Sequence, residues 1–278
     1  MPSENENGIR EIPINKIIKK GIIKEILRLK SFDILIQQEP KEVSPDIGVV
    51  TIDEKSIEKY GQWPWKRDTL AQIIYDLRQA GAGIIMIPIL FSEEDRFGGD
   101  QDFANALCYG GSVIAMYENG KGVYPETSGT VILGNKDVGG IDSTGVVQNI
   151  DILKNCSNQG IAIAPTEVDN LVRRIPLLLR TPDGFVSAYG TEVMKVLAGN
   201  TTYIVKTNDL GIEEITVQGL APVKTDSLGR KWISWVKTRE TTLQEMDVEG
   251  RYVLVGFTAT GIMPVSYTHL TLPTSDLV

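Results

Sequence analysis

Apolar positions along the chain fall into two kinds of pattern, continuous runs and helical stripes, and their order sets the first prediction. Residues 47–52 are apolar and largely β-branched and run directly into Asp53-Glu54, which predicts a buried strand with carboxylates at its C-terminal end. From Asp68 onward, Leu70, Ile73, Ile74 and Leu77 recur at i, i+3, i+4 and i+7. That is the stripe of an amphipathic helix with an acid near its positive start, ended by Gly81 and Gly83. Residues 84–87 form a second apolar run, and an acidic stretch, Ser92-Glu93-Glu94-Asp95, follows it. Strand, helix and strand have the length that a right-handed parallel crossover needs. Both acidic loops are then expected on one edge of a sheet, where open α/β sheets bind their ligands.

Further along, Phe103, Ala104 and Leu107 predict a short helix, and residues 112–117 a strand. Residues 120–148 are rich in glycine and lack helical period, with one short strand at 130–133. Residues 160–164 and 171–179 read as strands, Pro176 marking an edge or bulge, and Thr181-Pro182-Asp183-Gly184 reads as a turn. A helix over 187–198 points Tyr189, Val193, Val196 and Leu197 inward, with Gly199 past its end. Short alternating segments at 203–206, 212–217 and 232–236 predict antiparallel strands, and apolar residues 251–256 predict a return to the central sheet. The fold class that results is α/β, a central and largely parallel sheet flanked by helices, with a β-rich antiparallel insertion in the C-terminal half. No linker is visible, so residues 41–264 are expected to form one domain, preceded at 1–40 by a polar tail and a basic amphipathic helix.

That helix interleaves Ile17, Ile18, Ile22, Ile23, Ile26, Leu27 and Leu29 with Lys16, Lys19, Lys20, Lys24, Arg28 and Lys30. Two roles are open to residues 14–36: packing the apolar face on the domain with the lysines solvated, which is the preferred reading, or contact with an anionic membrane surface. There is no run of about 20 apolar residues and no secretion-signal pattern, so the chain as written reads as soluble.

Charge narrows the classes of partner. The formal net charge of −8 argues against nucleic acid, whose phosphates select basic surfaces. Residues 1–40 carry seven basic and six acidic side chains, which leaves the remainder more acidic than the whole. Cys108 and Cys156 are expected to be packed or incidental thiols rather than a disulfide, and no metal-ligand spacing occurs, so no cofactor is expected. The single histidine, His269, lies in a stretch from Val265 to Thr274 that looks like a translated sequencing adapter. Residues 265–278 are therefore set apart from fold reasoning as a non-native scar, and the natural protein is expected to continue beyond Pro264.

Several of these segments carry a resemblance. Ile52-Asp53-Glu54, then Gly61-x-Trp63-Pro64-Trp65-x-Arg67, then a helix ending Gly81-Ala82 and a strand running into Leu90-Phe91-Ser92-Glu93, resembles the type-two CHASE domain, a sensory domain of bacterial receptors. Residues 102–107, 169–178 and 252–261 are similar to later parts of the same family. Two positions depart from it: Pro88 stands where the family usually has aspartate, and Asn170 where it usually has glycine. Asparagine tolerates a left-handed turn better than most residues. The resemblance implies an extracytoplasmic, membrane-anchored, non-catalytic ligand-sensing domain upstream of a cyclase, histidine kinase or diguanylate cyclase output, which this chain lacks. The expected partners are an unidentified small molecule and that output domain, with a homodimer also open.

The candidate ligand-binding residues are Asp53, Glu54, Trp63, Trp65, Arg67, Glu93 and Asp95. With Glu94, Asp100 and Asp102 the carboxylates could crowd the sheet edge, as a cation site or as a solvated rim with helix caps. Trp63 and Trp65 could stack on a ligand or plug the core beneath the turn, and Arg67 is expected to pair with Asp53 or Glu54. Of the adjacent Arg173 and Arg174, one is expected to be solvated, since neighbours on a strand point to opposite faces. No phosphate loop, nucleophile elbow or thiol–histidine pair occurs, which weighs against an enzyme. Two other classes stay open: a structural or interaction protein that reuses the fold without a membrane, and a metal- or carboxylate-dependent hydrolase.

Overall fold

The structure is a computed structural model that describes residues 14–38, 44–135, 139–199, 202–234, 236 and 238–259, with side chains from Gly21 onward. The tail 265–278 lies outside the described residues. The elements run α1 (Ile14–Gln38), β1 (Ile47–Ile52), α2 (Glu54–Tyr60), α3 (Arg67–Gln79), β2 (Ile85–Ile87), α4 (Asp100–Cys108) and β3 (Ser112–Val123). Then come β4 (Thr130–Leu133), β5 (Ile141–Asp142), β6 (Val146–Val147), α5 (Asp151–Lys154), β7 (Asn158–Ile161), β8 (Arg174–Pro176), β9 (Leu178–Thr181) and β10 (Gly184–Ser187). The chain continues with α6 (Tyr189–Ala198), β11 (Tyr203–Asn208), β12 (Gly211–Val217), β13 (Val223–Lys224), β14 (Arg230–Trp232), β15 (Arg239–Thr242) and β16 (Tyr252–Phe257).

Six strands make a parallel sheet in the order β15-β1-β16-β2-β3-β7, and β6 adds an antiparallel edge to the far part of β3. Both faces are covered, as a parallel sheet requires. On one face Leu70, Ile73, Ile74 and Leu77 of α3 and Phe103 and Leu107 of α4 bury against Val50, Ile52, Ile85 and Ile114. Burying each such side chain contributes on the order of 2 kcal/mol. On the other face Tyr189, Val193 and Val196 of α6 lie on Ile84, Met86, Val113 and Leu254. The expected crossover forms with one strand between its arms: β16 returns from the far end of the chain and sits between β1 and β2.

The C-terminal half carries the antiparallel pieces. β9 and β10 form a hairpin across Pro182-Asp183, β11 and β12 form a second with β4 and β13 at its flanks, and β8 pairs with β14. Asn170 takes the left-handed conformation, with φ 61°, that glycine would otherwise supply.

Several expectations are corrected. The run 171–179 breaks at Leu177 into β8 and β9, and the strand expected at 232–236 is instead β14, ending at Trp232. Leu197 of α6 is 43% exposed, while Thr191, Glu192 and Lys195 are buried. Lys195 pairs with Glu192 at 2.9 Å and donates to Ser128 at 2.8 Å, which offsets part of the cost of burying the two charges. Neither Arg173 nor Arg174 is solvated. Arg174 pairs with Glu167 and Asp226 and lies over the Trp232 ring, and the Arg173 side chain is 5% exposed between two carboxylates.

Cys108 and Cys156 are joined in a disulfide. Cys108 ends α4, and Cys156 follows α5, which packs against α4 and brings the two Cα atoms to 4.5 Å, within bridging range. Closing a loop of 48 residues contributes about 4 kcal/mol by the chain-entropy relation.

Candidate functional site

The segments after β1 and β2 meet at the C-terminal edge of the parallel sheet. Asp53 caps α2: its carboxylate accepts from the Ser56 backbone N–H at 2.9 Å and from the Ser56 hydroxyl at 2.6 Å. The Ser56 hydrogen bond holds its carboxyl below the usual aspartate range. This capping box starts a helix where the sequence suggested only a strand end and a turn. Glu54 is exposed in the first turn of α2.

The chain leaves α2 at Gly61, which has φ 90°, and enters the tryptophan turn. Trp65 is buried, its indole N–H donating to the Gly61 carbonyl at 2.7 Å. Trp63 is half-buried and meets Trp65 edge-on at 5.4 Å and Phe257 of β16 at 4.9 Å. Trp65 is thus a wall of the core and Trp63 a wall of the cleft above it.

Arg67 opens α3 and clasps the acidic loop. Its backbone N–H donates to Asp95 at 3.1 Å, its Nε to Asp100 at 3.3 Å and its Nη2 to the Glu93 carbonyl at 3.4 Å. The guanidinium lies 4.3 Å from the Phe91 ring centroid. It therefore turns to Asp100 and not to Asp53, which α2 already uses. Burial works to raise the Asp95 carboxyl, but the backbone N–H groups of Arg67, Phe97 and Gly99 and the Arg67 charge outweigh it and hold the group below its ordinary value. Asp100 also accepts from the Asp95 N–H at 2.7 Å, so loop and helix start are tied into one unit.

Asn149 has a positioning role that the sequence did not signal, since it lies at the end of a glycine-rich stretch without period. Its carbonyl accepts from the Phe91 N–H at 2.7 Å, and its amide donates to the Ala115 carbonyl and to Gln159. Asn149 thereby ties Phe91 to β3 and β7, and Phe103 meets the Phe91 ring edge-on at 5.0 Å. Pro88, where aspartate would be usual, contributes its carbonyl to the Tyr117 hydroxyl at 2.9 Å.

Two clefts flank the loop. One of about 300 Å³ lies between Trp63, Pro64, Arg67, Ile89, Phe91 and Glu93. The second, of about 430 Å³, lies beyond it between Glu94, Asp100, Asn149 and Asp151. The acidic residues do not converge: Asp53 caps one helix, Asp95 and Asp100 serve Arg67, and Glu93, Glu94 and Asp102 are exposed. Among the described residues no group of three or more His, Cys, Asp or Glu is placed to hold a metal ion. Trp63, Trp65, Arg67 and Glu93 are brought together at the first cleft with Asp95 just behind; Asp53 and Glu54 stand apart on α2.

A parallel sheet covered on both faces, with a tryptophan turn and an arginine-clasped acidic loop at its C-terminal edge, defines an α/β domain with a cleft at the edge of its sheet. The CHASE2 domain family model matches residues 15–275, nearly the whole chain, and the chain belongs to that family of extracellular sensory domains. No curated protein and no solved structure matches the chain.

Proposed function

We propose that the chain is a non-catalytic ligand-sensing domain of a signal-transduction receptor, and that its ligand enters the cleft between Trp63 and Phe91. The observation that carries this reading is Arg67. It uses two guanidinium N–H groups on the loop, and among the described residues its Nη1 makes no hydrogen bond, so it faces an aromatic-walled cleft with donors to offer. The walls suit a flat apolar body and the guanidinium an acceptor group, carbonyl or carboxylate. Because the same arginine clasps residues 93–100, an occupant that draws on it competes with the hold on Asp100 and the Glu93 carbonyl, which links occupancy to the start of α4.

The disulfide supports an oxidising, extracytoplasmic setting. No helix among the described residues is long and apolar enough to cross a membrane. The test compares three probes that share one ring: benzoate, benzamide and benzylamine. Melting temperature should rise with the two that carry an acceptor and stay level with benzylamine, because a ligand that binds only the folded state stabilises it by mass action. Stabilisation by benzylamine alone, or by none of the three, sinks the assignment of this cleft.

A further inference from the structure

Helix α1 has two faces with different fates. One is docked. Leu29 is fully buried, Phe32 stacks on Trp232 with ring centroids 4.0 Å apart, and Asp33 receives two hydrogen bonds from Arg173 at 2.6 and 2.7 Å. Arg173 is held in turn by Asp169. The opposite face is not covered: Ile23, Leu27 and Ile34, at i, i+4 and i+11, form one stripe and are 58%, 63% and 59% exposed, with Leu35 beside them at 61%. Large apolar side chains repeated along one line of a helix mark an interaction surface rather than scattered exposure.

Charge decides what covers it. The stripe reads Lys20, Ile23, Leu27, Lys30, Ile34 at alternating spacings of three and four; Lys24 borders it, and Lys30, at its edge, reaches back to Asp169 at 3.9 Å. In a coiled coil with a second copy, parallel or antiparallel, the seam would bring lysines against a seam that offers only lysines and apolar groups. A bilayer of anionic lipid satisfies both parts at once: apolar side chains enter the acyl boundary and lysines reach the headgroups. Across residues 14–38 there are six basic side chains against Glu25 and Asp33, while the chain as a whole carries a net −8, so the basic character is concentrated on this helix.

We propose that the free face of α1 lies on an anionic phospholipid surface, which holds the domain against the membrane by its docked face. This is independent of the cleft. It is tested on the full chain by co-sedimentation with vesicles of equal parts phosphatidylcholine and phosphatidylglycerol, against phosphatidylcholine alone. Binding should occur with the mixed vesicles, weaken with added salt, and fall about fivefold for each lysine removed. The double variant Lys20→Glu and Lys24→Glu, which leaves Lys30 on Asp169 at 3.9 Å, and the exposed-site variant Leu27→Ser should both release the protein, with melting temperatures near that of the parent showing that the fold survives. Equal binding to both vesicle types, no binding to either, or variants that bind as the parent does would overturn it. So would a dimer that Leu27→Ser returns to monomer without any vesicle binding, which would assign the face to a second copy.

Discussion

Two arginines organise this molecule, and they are built differently. Arg173 is 5% exposed and donates four hydrogen bonds of 2.6 to 2.8 Å to Asp33 and Asp169. Hydrogen bonding to Asp33 first, and then to Asp169, raises its affinity for its proton. Arg67 is 16% exposed, its two side-chain hydrogen bonds are 3.3 and 3.4 Å long, and it stands at a cleft. The first is a saturated rivet between α1 and the body. The second is a clasp with capacity left over. A saturated buried ion pair fixes geometry and is costly to break from one side, whereas a long, partly open one can exchange partners at little cost.

Breaking the rivet should have the largest effect. Arg173→Met strands two carboxylates beneath α1 and should cost about 3–5 kcal/mol in denaturant unfolding; a loss under about 1 kcal/mol would show that the cluster is dispensable. On the cleft side, Trp65→Ala should cost a similar amount, about 3 kcal/mol or more, because it empties a buried site. Its effect on any cleft ligand should be the smaller of the two changes; unaltered melting with lost binding would reverse the roles given to Trp63 and Trp65. Arg67→Gln should cost only about 1 kcal/mol, as a partly exposed pair is worth little, yet abolish stabilisation by benzoate, and a variant that still responds would move the ligand elsewhere.

The smallest effect is one of pH. Asp169 is held below its ordinary value chiefly by its hydrogen bonds from Arg173. The unfolded chain therefore takes up this proton at higher pH than the folded one, near the usual value of about 3.9. The contribution is fully present above that value and is lost as pH falls through the lower folded value. The melting temperature of the parent should decline more steeply below about pH 4 than that of Arg173→Met; parallel acid limbs would contradict this.

How far the sequence led can be traced through particular residues. The apolar runs of β1 and β16 and the stripe of α3 follow from burial alone, and each forms close to where its pattern placed it. The polar strand β15, Arg-Glu-Thr-Thr, has no such pattern, because an edge strand needs pairing on one side only. α2 was hidden by its cap, since Asp53 and Ser56 look like turn chemistry until the helix they start is seen. α5 is four residues long, too short for any period, and with it went the view of the disulfide. At the cleft, the tryptophan turn and acidic loop were visible as composition. The partner of Arg67 was not, because Asp100 is 33 residues away and reaches it only through the fold of the loop.

The position of β16 bears on how the protein is made. Val253 and Leu254 fill the gap between β1 and β2, and Ile47 pairs with Tyr252, some two hundred residues apart. At ribosomal speeds of about 5–20 residues per second, the nascent β1 and β2 wait on the order of 10–40 s with their facing edges unpaired. Unpaired apolar edges invite other strands. Nascent chains should accordingly depend on a holding factor over that interval and release it once residue 257 has emerged.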